Sequence, residues 1–215
     1  MTMTSTQAAI AQFPLPAPAV NVVAIAASTG GLNALTQILG ALPEELPAAI
    51  VIVVHLYPHH SSVLAQLLSR RTPLTVTQAQ EGSCLAHGCV YVAPPDRHLI
   101  VEAGGLLTLS SAAKVHYTRP AADPLFISVA ALYKENAIGI VLTGGDGDGS
   151  AGIEAIKEAG GVTIAQNEAT SQVFSMPRSA IATGDVDYVC PLAEIGPLLL
   201  TLLSSGLASR ERQNS

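Results

Sequence analysis

Three runs of apolar, mostly β-branched residues dominate this sequence, and each one stops at a polar or glycine-rich corner. The runs are residues 22–26, 49–54 and 137–142. Apolar and polar residues do not alternate within them, which is typical of strands buried on both faces of a parallel sheet. Between these strands lie segments in which apolar residues recur with the period of a helix. The pattern predicts an α/β fold with a doubly wound, mostly parallel sheet and helices on both faces.

The middle of the chain differs, because residues 82–109 consist of short alternating pieces. Two of them, 98–102 and 106–109, flank Gly104-Gly105 and predict a small antiparallel hairpin attached to the main sheet. The other predicted strands are 74–78, 90–93, 162–165 and 188–190. The predicted helices are a ten-residue helix ending near Gly40 and the segments 62–69, 123–133, 150–159, 179–183 and 192–203.

Length and composition predict one folded domain over residues 21–203. The chain has 215 residues, of which 49% are apolar and 12% are charged, so a large aliphatic core is possible. Residues 1–20 are rich in Thr, Ala and Pro and lack periodicity, which predicts a disordered lead. The polar residues 204–215 predict a disordered tail.

Charge and cysteine usage exclude several classes of protein. The net charge is −6 without a basic stripe, which argues against a nucleic-acid partner. The chain has no apolar run of about 18 residues and no basic N-terminal region, so neither membrane insertion nor secretion is expected. Cys84, Cys89 and Cys190 lack zinc-site spacing and predict free thiols in a reducing compartment. The sequence therefore predicts a cytoplasmic protein.

Polar side chains follow three of the predicted strands. Ser28 follows the first strand, His55 the second, and Asp146 and Asp148 a late central strand. A hydroxyl, an imidazole and a carboxylate at one sheet edge match the nucleophile, base and orienting acid of a serine hydrolase. Each also has a structural interpretation: Ser28 as a helix cap, His55 as a core residue, and the aspartates as turn residues. The spacing leaves the choice between Asp146 and Asp148 open.

The glycine-rich loop at residues 144–149 supports a competing hypothesis. Gly144-Gly145-Asp146-Gly147 resembles the GGDG element of the diacylglycerol-kinase and NAD-kinase superfamily, in which the loop lies against nucleotide phosphate. No Walker A lysine pattern accompanies it. His55, His59 and His60 are spaced like metal ligands, but Pro58 interrupts any helix that could align them. We therefore expect neither a metal nor a cofactor.

Seven segments in order resemble the catalytic domain of the CheB-type chemotaxis protein-glutamate methylesterases. The resemblance covers about residues 21–203. The segments are Ala27-Ser28-Thr29-Gly30-Gly31, the strand ending in His55, Tyr91-Val92-Ala93-Pro94-Pro95-Asp96-Arg97-His98, Arg119-Pro120 with Asp123, Leu142-Thr143-Gly144 through Asp148-Gly149, Ala165-Gln166-Asn167-Glu168-Ala169, and Phe174-Ser175-Met176-Pro177-Arg178.

The resemblance implies a catalytic triad of Ser28, His55 and Asp148. It also implies hydrolysis of γ-glutamyl methyl esters on the cytoplasmic helices of methyl-accepting chemoreceptors, with release of methanol and, in many members, deamidation of receptor glutamines. Thr29, Gly145 and Met176 are the residues expected to stabilise the oxyanion or bind substrate.

The sequence departs from the family pattern near the expected site. Gly145 replaces a methionine, Asp146 replaces a glycine, and Val54 replaces a glutamine. None of these changes removes a catalytic group, so we expect an active enzyme; the alternative is a catalytically weak receptor-binding module. Typical members also carry an N-terminal receiver domain, whereas about 20 residues precede the first strand here. The chain is therefore either a stand-alone esterase or a piece of a larger protein.

Overall fold

The computed structural model describes residues 19–55 and 62–213, with side chains up to residue 205. Residues 1–18 of the expected disordered lead lie outside this range, as do His59 and His60. The strands are β1 (Val22–Ala27), β2 (Ala49–Val54), β3 (Thr75–Gln78), β4 (Cys89–Val92), β5 (His98–Glu102), β6 (Leu106–Ser110), β7 (Ala137–Val141), β8 (Val162–Gln166) and β9 (Tyr188–Cys190). The helices are α1 (Gly31–Gly40), α2 (Leu64–Ser69), α3 (Ala122–Tyr133), α4 (Ser150–Glu158), α5 (Ser175–Ala182) and α6 (Leu192–Gln213).

The main sheet is parallel throughout and has the strand order β3-β4-β2-β1-β7-β8-β9. Alternate residues of its strands point to opposite faces, as strand geometry requires. Val23 and Ile25 of β1 pack in one core with α1, α2 and α6. Val22 and Ala24 pack in a second core with α3, α4 and α5. This confirms the predicted doubly wound sheet with helices on both faces.

The antiparallel hairpin is present, but the prediction that it joins the main sheet is wrong. β5 and β6 pair with each other and form a separate two-stranded sheet. Their alternating sequence gives one apolar face, and Leu99, Val101 and Leu107 bury it in the core that contains α3. An isolated hairpin is marginally stable in water, so packing against a helix stabilises it.

Two helix boundaries differ from the sequence prediction. Helix α5 begins at Ser175 rather than Ser179, because Pro177 lies in its first turn, where a missing backbone N–H is tolerated. Helix α6 continues to Gln213, past the predicted end at Leu203 and into the segment expected to be a disordered tail. The apolar period stops near Leu203, but Arg, Glu and Gln have a high intrinsic helix propensity.

The structure also bears on the state of the cysteines and on membrane insertion. Cys84, Cys89 and Cys190 are free thiols. Within residues 19–55 and 62–213, no helix is both long and apolar enough to cross a membrane.

Candidate active site

Three neighbouring strands bring the sequence-predicted polar residues to one edge of the sheet. Strands β2, β1 and β7 are adjacent and parallel, so their carboxyl ends lie side by side. Ser28 directly follows β1, His55 directly follows β2, and Asp146 and Asp148 lie in the loop after β7. The strand order reverses direction at β1, which is where ligands bind in open α/β sheets.

The imidazole of His55 lies between two carboxylates. Its Nε2 is 2.8 Å from Asp148 Oδ2, and its Nδ1 is 3.2 Å from Asp146 Oδ2. The ring is nearly buried, with 10% of the side chain exposed. The two candidate acids between which the sequence could not choose therefore both contact the histidine, one at each ring nitrogen.

This arrangement favours the charged form of His55. Burial alone lowers the pKa of His55, but hydrogen bonds and charge from Asp146 and Asp148 outweigh it and raise the pKa to about 9. Burial alone raises the pKa of Asp146, and the hydrogen bond and charge of His55 lower it overall. At neutral pH the site therefore holds an imidazolium between two carboxylates, and this cation cannot accept a proton.

The N-terminus of α3 holds the carboxylate of Asp148. The Asp148 side chain is fully buried, and it accepts hydrogen bonds from Ala122 N at 2.5 Å and Asp123 N at 3.1 Å. Free amides and the dipole at a helix N-terminus stabilise a negative charge there. These donors fix the orientation of the Asp148 carboxylate toward His55.

The Asp123 side chain connects the N-terminal turn of α4 to the same hydrogen-bond network. It accepts a hydrogen bond from Gly152 N in α4 at 2.9 Å and lies 3.0 Å from His116 Nε2. Burial raises the pKa of Asp123. His116, Asp123 and Asp148 are close enough together to hold a cation. Both carboxylates already accept hydrogen bonds from backbone N–H groups, and Asp148 Oδ2 also lies against His55.

Backbone hydrogen bonds fix the turn at Ser28. Its N–H donates to Thr143 O at 2.9 Å, and its carbonyl accepts from Gly31 N at 2.8 Å. Within the described residues, Ser28 Oγ makes no hydrogen bond, although Ser28 and His55 line one cavity. The N-cap of α1 is Gly30, whose φ of +83° suits glycine, and no side chain caps that helix. Ser28 is therefore not the helix cap.

Two backbone amides lie next to the Ser28 corner, because Thr29 follows Ser28 and Gly145 follows Gly144, where a Cβ would lie 3.0 Å from Ser28 Cβ. Thr29 and Gly145 are exposed, and in the described part of the chain neither N–H has an acceptor. Thr29 directly follows Ser28, which is the position that commonly supplies one oxyanion donor in α/β hydrolases. Replacing the methionine of the family pattern by Gly145 leaves this second N–H in place.

Met176 lies under the site rather than in it. Its side chain is fully buried, and its N–H donates to Gly144 O at 3.0 Å. The expectation that Met176 binds substrate or an oxyanion stays a prediction, and the contacts of Met176 in this structure are with the loop after β7. A Cβ on Gly144 would lie 1.9 Å from Met176 Sδ and 3.0 Å from Ser28 Cβ.

Because Gly144 is pressed between these two side chains, we expect Gly144→Ala to disturb the site. The added methyl must displace Met176, and it tightens the contact with Ser28. Overpacking of this kind costs about 1–3 kcal/mol. We expect a lower free energy of unfolding and reduced activity, measured by urea denaturation and ester hydrolysis. Gly145→Ala is the matched control, because a Cβ there meets nothing within 4 Å; equal losses in both variants would contradict the packing explanation.

The comparisons with known proteins identify the family. A family model described as CheB methylesterase matches residues 23–199. The chain belongs to the CheB methylesterase family. The fold agrees, because the crystal structure of the Thermotoga maritima CheB methylesterase catalytic domain matches with a TM-score of 0.82 and 38% identity, over 85% of this chain and 98% of that one.

Several curated relatives carry the name protein-glutamate methylesterase/protein-glutamine glutaminase. The relative from Pyrococcus abyssi is 45% identical over 181 residues, which cover 83% of this chain and 49% of the relative. The relative from Moorella thermoacetica is 42% identical over 90% of this chain and 46% of its own length. A protein from Leptospira interrogans, with the same name marked putative, is 36% identical and matched over 97% of its length. The chain thus spans about half the length of the first two relatives.

The competing hypotheses from the sequence gain no support. In this CheB methylesterase fold, Asp146 and Asp148 of the 144–149 loop contact His55. The names of the relatives support neither a nucleotide-binding kinase nor a weak receptor-binding module.

Two supporting residues were not assigned a role in the sequence analysis. Thr143 Oγ1 donates to Thr29 O at 2.9 Å and accepts from Val173 N at 2.9 Å, so it joins the Ser28 corner to the segment before α5. Asp123 joins α3 to α4. Asp123 is the first residue of the predicted helix 123–133, where an acidic residue is favoured, but its Gly152 partner lies 29 residues further along the chain.

Proposed function

We propose that this chain is a serine hydrolase that removes methyl esters from glutamate side chains of proteins and also deamidates glutamine side chains. The observation that carries the proposal is the meeting of Ser28, His55 and Asp148 at the ends of three neighbouring strands. The names of the CheB relatives support the reaction. The N–H groups of Thr29 and Gly145, which have no acceptor among the described residues, support acyl transfer in particular.

In the proposed mechanism, Ser28 Oγ attacks the ester carbonyl and His55 accepts the serine proton. Asp148 holds Nε2, so Nδ1 is the nitrogen that serves as base. The N–H groups of Thr29 and Gly145 stabilise the tetrahedral oxyanion. His55 then protonates the departing methoxide, and methanol leaves. Water hydrolyses the acyl-enzyme by the same proton transfers in the second half of the reaction.

Asp146 must release His55 before this mechanism can begin. It contacts His55 Nδ1, which is the nitrogen that must receive the serine proton. The base becomes competent when the imidazolium loses its proton and Asp146 releases Nδ1. Ser28 can then hydrogen-bond to the freed nitrogen.

The proposed substrates are the cytoplasmic helices of methyl-accepting chemoreceptors, and the proposed compartment is the cytoplasm. The relatives are named for glutamate and glutamine residues of proteins, which supports a protein substrate. The proposed reaction uses side chains, backbone N–H groups and water, so it requires no cofactor.

Methanol release from a methyl-esterified receptor fragment tests the proposal. We expect methanol in proportion to the ester consumed, and slower release of ammonia from the glutamine form, because an amide is the poorer acyl donor. A fluorophosphonate probe should label Ser28, as identified by peptide mass analysis. If the chain binds the receptor without releasing methanol between pH 6 and pH 10, it acts as a binding module instead.

A further inference from the structure

A groove between α1 and α2 opens directly onto the candidate active site. It has a volume of about 850 Å³, and Ser28 and His55 contribute to its lining. Leu32 and Thr36 line it from α1, one helical turn apart. The α2 side contributes Val63 and Leu67, which are four residues apart, and Arg71, which follows the end of α2 by two residues.

The groove has a defined direction. Ser28 precedes the N-terminus of α1, and the segment after α2 meets the C-terminus of α1, where Thr72 Oγ1 donates to Leu39 O at 2.7 Å. Arg71 therefore lies at the end of the groove that is far from Ser28. Since α1 has ten residues, the two ends are about 15 Å apart.

The walls of the groove expose apolar side chains. Leu32 is 43% exposed, Val63 54% and Leu67 40%. Contiguous exposed apolar side chains of this kind typically mark a binding surface. Strands β1 and β2 lie inside the sheet and are paired on both sides, so a peptide cannot add to a strand edge here. An apolar groove between two helices suits helix-in-groove binding, in which the apolar face of an amphipathic helix packs into the groove.

The charge of the groove contrasts with the charge of the whole protein. The chain has a net charge of −6, yet no Asp or Glu is among the described lining residues. Within the described residues, Arg71 has no carboxylate partner. A cation at the end of an apolar groove favours an acidic partner and sets its register.

We propose that this groove docks the substrate as a single amphipathic helix. The esterified glutamate enters beside Ser28, apolar residues of the same helix face Leu32 and Leu67, and a carboxylate about seven to eleven residues away pairs with Arg71. The inference rests on the proposed function, because Ser28 determines where the ester must lie. It adds a sequence requirement on the substrate at a distance from the reacting bond.

The test compares two substrates that carry the same ester. One is N-acetyl-glutamate γ-methyl ester amide, which is too small to fill the groove. The other is a helical peptide with that ester, apolar residues at i+3 and i+4, and a glutamate at i+7 or i+11. We expect Leu67→Glu to lower kcat/KM for the peptide about tenfold or more relative to the small ester, because the apolar contact is lost.

Charge reversal gives the matched comparison. Arg71→Glu should lower the peptide-to-small-ester ratio of kcat/KM about three- to tenfold, and a lysine at the acidic peptide position should restore it. Arg70→Glu is the control, since Arg70 is exposed and does not line the groove. An unchanged ratio in both Leu67→Glu and Arg71→Glu overturns the docking site.

Failure of the proposed function gives a different result. If the unmodified protein hydrolyses neither ester, the hydrolase assignment fails, and the groove is then tested by fluorescence anisotropy with the labelled glutamine form of the peptide. Weaker binding by Arg71→Glu than by Arg70→Glu supports the groove even in that case. Equal binding by all three proteins rejects it.

Discussion

Ser28→Ala is expected to lower the rate of methanol release by about 10⁴-fold or more, because loss of the nucleophile removes the acyl-enzyme route. The fold should persist. Ser28 Oγ makes no hydrogen bond within the described residues, and the corner is held by backbone bonds to Thr143 and Gly31 that alanine keeps. The change in the free energy of unfolding should therefore stay within about 0.5 kcal/mol. Methanol assays and urea denaturation measure the two quantities.

Ser62→Ala is the matched control for this variant. Ser62 lines the same cavity and its hydroxyl accepts from Leu64 N, but it has no contact with His55 among the described hydrogen bonds. We expect it to retain most of the activity. Methanol release by Ser28→Ala at a rate near that of the unmodified chain would remove Ser28 from the mechanism, and another nucleophile would have to be sought.

The parts of the site that follow strand ends could be predicted from the sequence. Residues 22–26 and 49–54 are apolar throughout, which predicts buried strands of a parallel sheet. Ser28 and His55 fall where those runs stop. The hairpin could be predicted from the sequence, but its packing partner in the fold could not. Its alternating pattern requires one buried face, and the sequence does not say whether a sheet or α3 covers that face.

The roles of the two aspartates could not be separated by local pattern. Asp146 and Asp148 lie in a loop with glycine at 144, 145, 147 and 149, where backbone angles are weakly restricted. Their orientations depend on contacts with distant parts of the chain. Asp148 points inward because the first turn of α3 donates to it, from residues about 25 positions earlier. Asp146, with 33% of its side chain exposed, reaches His55 from the solvent side.

We expect activity to rise with pH and to reach a plateau only above about pH 9. With a pKa of about 9, only about 1% of His55 is neutral at pH 7, and the neutral form is the one that accepts the serine proton. Asp146→Gly restores the glycine of the family pattern and removes one of the two carboxylates on the ring. The pKa of His55 should fall, and kcat/KM at pH 7 should rise about tenfold, as measured by pH profiles of methanol release.

The same change should also affect stability in a pH-dependent way. Because the pKa of His55 is raised by folding, the ion pairs stabilise the folded state fully below about pH 6.5, and this contribution is lost as the pH rises through about 9. The difference in Tm between the unmodified chain and Asp146→Gly should thus be largest near pH 6 and smallest near pH 10. A flexibility cost of the added glycine lowers Tm at every pH and leaves this trend intact.

Asp146→Asn separates charge from shape at this position. It keeps the size of the side chain and a hydrogen bond to Nδ1, but it removes the negative charge that holds a proton on the ring. Its pH profile should lie between those of the unmodified chain and Asp146→Gly. His116, whose charge also acts on Asp146, is unchanged in all three proteins, so it cannot produce the difference. If all three profiles share one midpoint, Asp146 does not control the protonation of His55, and the slow step at neutral pH lies elsewhere.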